Sequence, residues 1–492
     1  MSEPSSSMLH GLRPGAIGFA AALAIGMAST APAYSLAATL GLVSKELAPN
    51  GTAAPAVLLI AFLPILCIAV AFDRLNRADA DCGTTFAWVT HGMGPWSGWM
   101  AGWATLLSGT LVMASLAQVS GIYTFRLLGM DALAESRFAV ALAGTAWVVL
   151  MTWICARGIE SAARTQYLLL GLELIALIVF TVAALATATG PGAPADALKP
   201  AASWFNPGTI ESSSAFAGAV LASIFLYWGW ESALSMNEET RNSTRTPGRA
   251  GLASVVILLL IYVLVAAAAQ SVHGPAFLAE HADDVFSALA RDVLSSPWDR
   301  LLILGVLTSA VAAAQTTVIP TARTVLSMAS AGAFPAALAS IHPRFRTPHV
   351  ATWALGAVSC TGFVALSFWS KDVLEDSILS TALLVALSYA LTGYACPLVY
   401  LRIGIFSGKN ALVLAVLPLL GAATLTWAFA NSCVSLAEPA SAGLVLGVGV
   451  PLVAGVALML LGAVIMAARF CVHPTFFRAA EDAASRPPER AP

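Results

Sequence analysis

Apolar runs of about twenty residues, the length an α-helix needs to cross a bilayer, recur along nearly the whole chain, with short polar stretches between them. The runs are continuously apolar. Barrel strands would instead alternate apolar and polar residues in segments of about ten, so the pattern predicts helices. It places twelve spans, at 15–42, 53–72, 96–127, 137–156, 161–188, 213–237, 249–272, 298–323, 350–370, 375–401, 410–430 and 441–468. The connections are short except 73–95, 189–212, 273–297 and 324–349, which leaves no room for a soluble domain. The segment 273–297 mixes apolar and acidic residues and suits either a solvated loop or a short amphipathic helix lying on the membrane surface.

Composition agrees. Of the 492 residues, 58% are hydrophobic and 10% charged, against roughly 25% charged in an ordinary soluble domain. The predicted fold class is an all-α integral membrane protein with twelve transmembrane helices. The polar start, "MSEPSSSMLHGLRPG", precedes an apolar run too long for a signal peptide, so that run stays in the membrane. An even number of spans puts both termini on one side. Placing them in the cytoplasm leaves only Lys45, Arg126, Arg137, Lys199, Arg291, Arg300 and Lys371 outside, which satisfies the positive-inside rule. Residues 1–14 and 471–492 are then cytoplasmic segments, the latter with a disordered end.

A formal charge of -2 without a basic patch argues against nucleic acid as a partner. The seven cysteines have no CxxC spacing and only Cys433 falls in a predicted external loop, so the sequence supports neither a disulfide framework nor a metal site, and no cofactor is implied. No ligand cluster or nucleophile–base pair at helical spacing points to an enzyme. Small-residue pairs such as Gly98 and Gly102 suit packing between helices of one chain as well as between chains, so subunit number stays open.

Two predicted spans contain residues that a plain anchor would avoid. The first carries Gly26, Ser29, Thr30 and Pro32 within "AIGMASTAPAYS", and the sixth carries Gly229 beside Glu231 within "FLYWGWESALS". Proline removes a helical hydrogen bond and crowds the carbonyl four residues back, and glycine weakens a helix by about 1 kcal/mol relative to alanine. Both helices can break there. The two breaks lie five spans apart, so they hold corresponding positions in two five-helix units, and an odd number of spans per unit makes the second unit inverted. Paired breaks of this kind point to a transporter site between inverted repeats.

Three stretches then resemble one family. "NRADADCGTTFAWVTHGMGPWSGWMAGW" (76–103), "YWGWESALSMNEETRNSTRTPGRA" (from Tyr227) and "TARTVLSMASAGAFPAALASIHPRFRTPHVA" (321–351) are similar to segments of the amino acid–polyamine–organocation permeases. The resemblance implies an inverted five-plus-five helix repeat plus two C-terminal helices. It divides the chain into a transport core at 15–402, with repeats at about 15–188 and 213–402, and two added helices at 403–470. It also implies secondary transport of an amino acid or amine held between the broken first and sixth helices. The chain departs from the family in two places. "MASTAPAYS" replaces the Gly-Ser/Thr-Gly turn that holds a substrate carboxylate in many amino acid carriers, and is closer to members that move polyamines. Glu173 stands where several proton-coupled members carry a lysine.

Glu173 and Glu231 are the only acids or bases that the predicted spans place inside the membrane. Such residues cost roughly 2.5–3.5 kcal/mol at a helix centre on insertion scales and mark substrate or proton paths. Glu231 lies seven residues before Glu238, about 10 Å from the predicted membrane edge at 1.5 Å per residue. Two acids without an intramembrane cation favour ammonium-bearing substrates over anions, and Tyr227, Trp228 and Trp230 offer rings for cation–π contact. The expected substrate site is Ala28, Ser29, Thr30 and Ala31 with Tyr227, Trp228, Gly229, Trp230 and Glu231. Proton exchange is assigned to Glu231, with Glu173 as second candidate. Exchange or export on the same architecture, sodium coupling through hydroxyls such as Thr308, Ser309, Thr316 and Thr317, and a non-transporting sensor are the alternatives. Arg323 reads as an interface anchor at a helix end.

Overall fold

The computed structural model describes residues 10–47, 51–210, 212–282, 284–369, 373–437, 444–445 and 448–478. Residues 1–9 and 479–492, the outer parts of the two terminal segments expected in the cytoplasm, lie outside that range. The helices in chain order are α1 (Phe19–Ser29), α2 (Pro32–Leu47), α3 (Ala54–Ala78), α4 (Thr85–Met93), α5 (Pro95–Leu127), α6 (Asp131–Ala134), α7 (Arg137–Ala156), α8 (Ile159–Thr189), α9 (Ser213–Leu226), α10 (Ser232–Ser235), α11 (Thr246–Val272), α12 (Pro275–Glu280), α13 (Val285–Val293), α14 (Asp299–Ser330), α15 (His349–Trp369), α16 (Val373–Arg402), α17 (Leu417–Ala437) and α18 (Val450–Val472). Apart from a two-residue antiparallel pairing of Leu444–Val445 with Val448–Gly449, the regular structure among the described residues is helical.

Among the described residues, eleven helices are long and apolar enough to cross a membrane, with α1 and α2 counted as one interrupted span. The expected sixth span is not among them. It is divided into the fourteen-residue α9, an unwound stretch and the one-turn α10. Burial separates core from rim. Within its most apolar stretch α14 is 89% buried and α18 only 17%. The outer faces of α7, α8, α15 and α18 carry exposed Phe138, Leu142, Leu168, Ile178, Val358 and Val464, as helices bordering hydrocarbon would. At the centre α14 packs on α5, α7 and α8, while α1 and α2 lie against α11, α8, α9 and α14. Gly98 and Gly102 face Thr90, and Met328 and Phe86, of the same chain, so these two small residues serve packing within the chain.

Several boundaries differ from expectation: α2 and α3 run on to Leu47 and Ala78, and α18 starts only at Val450. α14 runs on to Ser330, seven residues past the predicted end, and Thr324, Val325, Leu326, Ser327, Met328 and Ala329 after Arg323 stay buried. Cys433 lies within α17 and not in a loop. The segment 273–297 forms α12 and α13, and the apolar face of α13, with Val285, Phe286, Leu289, Ala290 and Val293, is buried against α14, α2 and α8. That amphipathic face is therefore spent on the protein and not on a lipid surface.

Candidate functional site

The first break follows from Pro32. Proline disfavours the helical conformation in the residue before it, and Ala31 adopts φ 47°, the left-handed region. α1 therefore ends at Ser29. Thr30 turns back to the Met27 carbonyl through both its N–H (3.2 Å) and its hydroxyl (2.7 Å). α2 restarts at Pro32, whose missing N–H is no loss at a first helical position. The next two N–H groups have no intrahelical acceptor. Ala33 N–H donates to Glu173 Oε1 of α8 at 2.8 Å, and Tyr34 N–H to Ser309 Oγ of α14 at 3.0 Å. The Ser309 hydroxyl in turn donates to Glu173 Oε1 at 2.6 Å. Glu173 is fully buried, with its carboxyl at the N-terminus of α2.

The second break centres on Gly229 at φ 114°. A Cβ there would lie 2.5 Å from the Ser29 carbonyl oxygen, so only glycine lets the two breaks touch. The Ser29 and Ser232 hydroxyls are 2.7 Å apart across that contact. Glu231 Oε2 accepts from Gly229 N–H at 3.0 Å and from Tyr389 OH of α16 at 2.5 Å. At the first break the Ala33 and Tyr34 N–H groups, and at the second the Gly229 N–H, are thus taken up by an intramembrane carboxyl or a hydroxyl hydrogen-bonded to one.

Between the breaks and α4, α5, α14 and α16 lies a cavity of about 40 Å³, room for roughly three waters. Ser29, Thr84, Thr85, Thr105, Ser108, Ser232, Ser235, Thr317, Thr321 and Ser388 line it with hydroxyl-bearing side chains, together with Trp228, Gly229, Pro320 and Tyr389. Glu231 is its one acidic side chain. A smaller cavity on the far side of Ser29, Trp228 and Thr317 is lined by Thr30, Ala31, Tyr34, Ser35, Val112, Leu116, Phe225 and Ala313. Those three residues border both spaces.

Of the residues singled out in the sequence, Ser29, Trp228, Gly229 and Glu231 border the larger cavity, and Thr30 and Ala31 the smaller. Ala28 is buried among Ala24, Met27, Leu170 and Ala312. Tyr227 points its hydroxyl at the Leu58 carbonyl (3.1 Å), and Trp230 packs edge-on against Phe72, so neither ring borders these cavities. Glu173 is at the first break but lines neither space. Ser309 is engaged with Glu173, while Thr308 and Thr316 hydroxyls bond carbonyls of their own helix. Sequence reasoning missed Tyr389, Ser388, Thr84, Thr85, Thr105 and Ser108. Hydroxyl residues are ordinary in membrane helices, and nothing in their local spacing sets these apart.

Arg323 is a correction. It is no interface anchor but a buried side chain, with Nε donating to Glu239 Oε2 at 2.7 Å and Nη1 to the Ile319 carbonyl at 3.0 Å. Glu239 is equally buried, and its carbonyl accepts from Ile17 N–H at 3.1 Å. Ile17 and Thr240 form a parallel β-bridge, which ties the segment before α1 to the segment after α10.

The amino acid permease family matches residues 17–441. An uncharacterised transporter of Mycobacterium tuberculosis is 27% identical over 413 residues, covering 83% of this chain and 85% of the relative. A branched-chain amino acid permease of Bacillus subtilis is 23% identical over 318 residues, 61% of this chain and 64% of its own. An arginine/ornithine antiporter of Lactococcus lactis is 24% identical over 220 residues, 41% and 43% respectively.

Proposed function

The chain belongs to the amino acid permease family of multi-pass membrane transporters, and from that premise we propose that it carries an amino acid or amine bearing surplus positive charge across the cytoplasmic membrane, coupled to protons. In this reading residues 15–188 and 213–402 are inverted repeats, residues 403–470 add two helices to give twelve spans, and both termini are cytoplasmic. Alternating access is the opening of the larger and the smaller cavity in turn around Ser29, Trp228 and Thr317, which border both.

The observation that carries this reading is the chemistry at the joined breaks. A hydroxyl-lined space with Glu231 as its one acidic side chain attracts ammonium groups and repels anions. The Ala33 and Tyr34 N–H groups at the start of α2, where a substrate carboxylate could otherwise bind, are occupied by Glu173 and Ser309, and the Gly229 N–H in the second break is occupied by Glu231. The substrate's positive end therefore faces Glu231 and the Trp228 ring, where a desolvated cation–π contact is worth about 2 kcal/mol. Glu231 borders the cavity and can exchange a proton with whichever side is open. Glu173 is the second candidate for that role. Two relatives carry amino acids by name, one of them a pair of cationic ones, which agrees with this chemistry at the level of substrate class.

A binding panel on the purified protein tests the substrate reading. Putrescine and arginine are expected to bind more tightly than leucine, and propionate not at all, with Glu231→Gln weakening the cationic compounds by at least about tenfold, 1.4 kcal/mol. Preference for leucine or propionate over putrescine and arginine would overturn it.

A further inference from the structure

We propose that His10, Asp81, Cys82 and Glu238 form a binding site for a borderline divalent metal ion such as Zn²⁺, which clamps the segment before α1 to the α3–α4 loop and to the stretch after α10. The four side chains come from three separate parts of the chain, yet their ligand atoms all lie within 4.8 Å of one another. A tetrahedral Zn²⁺ with bonds of about 2.0–2.3 Å holds its ligand atoms roughly 3.3–3.8 Å apart. His10 Nδ1 is already 2.8 Å from Glu238 Oε1 and 3.7 Å from Cys82 Sγ. Shifts of about an ångström or less complete the coordination.

The donor set points to the metal. One imidazole, one thiol and two carboxylates suit Zn²⁺ and its transition-metal neighbours, whereas Ca²⁺ and Mg²⁺ prefer all-oxygen sites. The pocket is nearly dry, with Cys82 fully buried and the His10 and Glu238 side chains only 6% and 12% exposed. It places two carboxylates beside one imidazole, and the neighbouring guanidinium of Arg323 is committed to Glu239 and the Ile319 carbonyl. The Cys82 thiol is aimed into the cluster, in contact with His10 Nδ1 at 3.7 Å and with the Glu238 carboxyl, and reaches the Arg323 carbonyl at 3.8 Å. The second layer is built as well. Asp81 Oδ1 accepts from Gly83 N–H at 2.6 Å and from the Ser327 hydroxyl at 2.8 Å, and Glu238 Oε1 from Cys82 N–H at 3.0 Å. Such outer partners orient ligands and raise affinity.

Binding displaces the Cys82 thiol proton and the proton shared by His10 and Glu238, and involves no redox change. An occupied site would reinforce the Ile17–Thr240 bridge and the Arg323–Glu239 pair, joining the same segments. The clamp's effect on transport rests on the carrier reading, but the site itself does not. Cysteine spacing could not reveal it, because its hydrogen-bonded members stand 72, 156 and 228 positions apart.

The test is titration of the full-length protein in detergent with Co²⁺ as an optical probe, followed by displacement with Zn²⁺. The expected result is one saturable equivalent per chain with a thiolate-to-cobalt charge-transfer band. That band is lost in Cys82→Ser, weakened at least about tenfold in His10→Ala, which alters a different segment, and kept in the Cys471→Ser control. Ser327→Ala should cost about 10-fold in affinity through Asp81. No saturable band in the native protein, or a band that survives both Cys82→Ser and His10→Ala, would overturn the site.

Discussion

Glu173 and Glu231 each stand at a helix break, but they answer to different neighbours. Glu231 meets the cavity and hangs from Gly229 N–H and Tyr389 OH, while Glu173 is sealed in and holds the start of α2. Glu173→Gln keeps an acceptor for Ala33 N–H and Ser309, whereas Glu173→Ala leaves both without one, at about 1–3 kcal/mol for each orphaned buried group. Thermal unfolding in detergent should therefore rank native, then Gln, then Ala. Equal losses for the two variants would show that these hydrogen bonds carry no weight. Arg323 gives a second residue-scale prediction. Arg323→Ala strands the buried Glu239 carboxylate, which should cost about 3–5 kcal/mol, and Arg323→Met with Glu239→Leu should recover most of it. Unfolding measurements on the single and double variants check both. The acids were legible in the sequence because an intramembrane charge is rare and costly. Their partners were not, since Tyr389 is 158 positions from Glu231 and Ser309 is 136 from Glu173.

At the scale of elements, the breaks were legible because Pro32 and Gly229 act locally, through a missing donor and a missing Cβ. What local chemistry could not convey is that α9 does not resume as a full helix, or that the two breaks press on each other at Ser29. Gly229→Ala tests that contact. The left-handed backbone costs a non-glycine residue roughly 1–2 kcal/mol, and the added carbon meets the Ser29 backbone, which cannot rotate away. The expected outcome is lower thermal stability together with loss of ligand binding. Unchanged binding would mean the two breaks need not touch. The long apolar runs made most helices readable to within a few residues. α14 overran its predicted end because Arg323 looks like a terminus until its buried partner Glu239 is seen.

For the whole molecule, the apolar runs and the lack of room for a soluble domain already spoke for a membrane bundle, and the family match over residues 17–441 bears out the resemblance. The packing of α12 and α13 was not legible, because an amphipathic face reads the same whether it covers lipid or protein. Glu231 is expected to couple the transport of a cationic substrate to protons, and uptake into proteoliposomes reads that coupling out. Labelled putrescine and arginine would be offered to native protein and Glu231→Gln, with and without an inward proton gradient. Native protein should accumulate at least one of them only when the gradient is present, and the Glu231→Gln variant should lose that dependence. Gradient-driven accumulation of the same size in both proteins would contradict that role of Glu231.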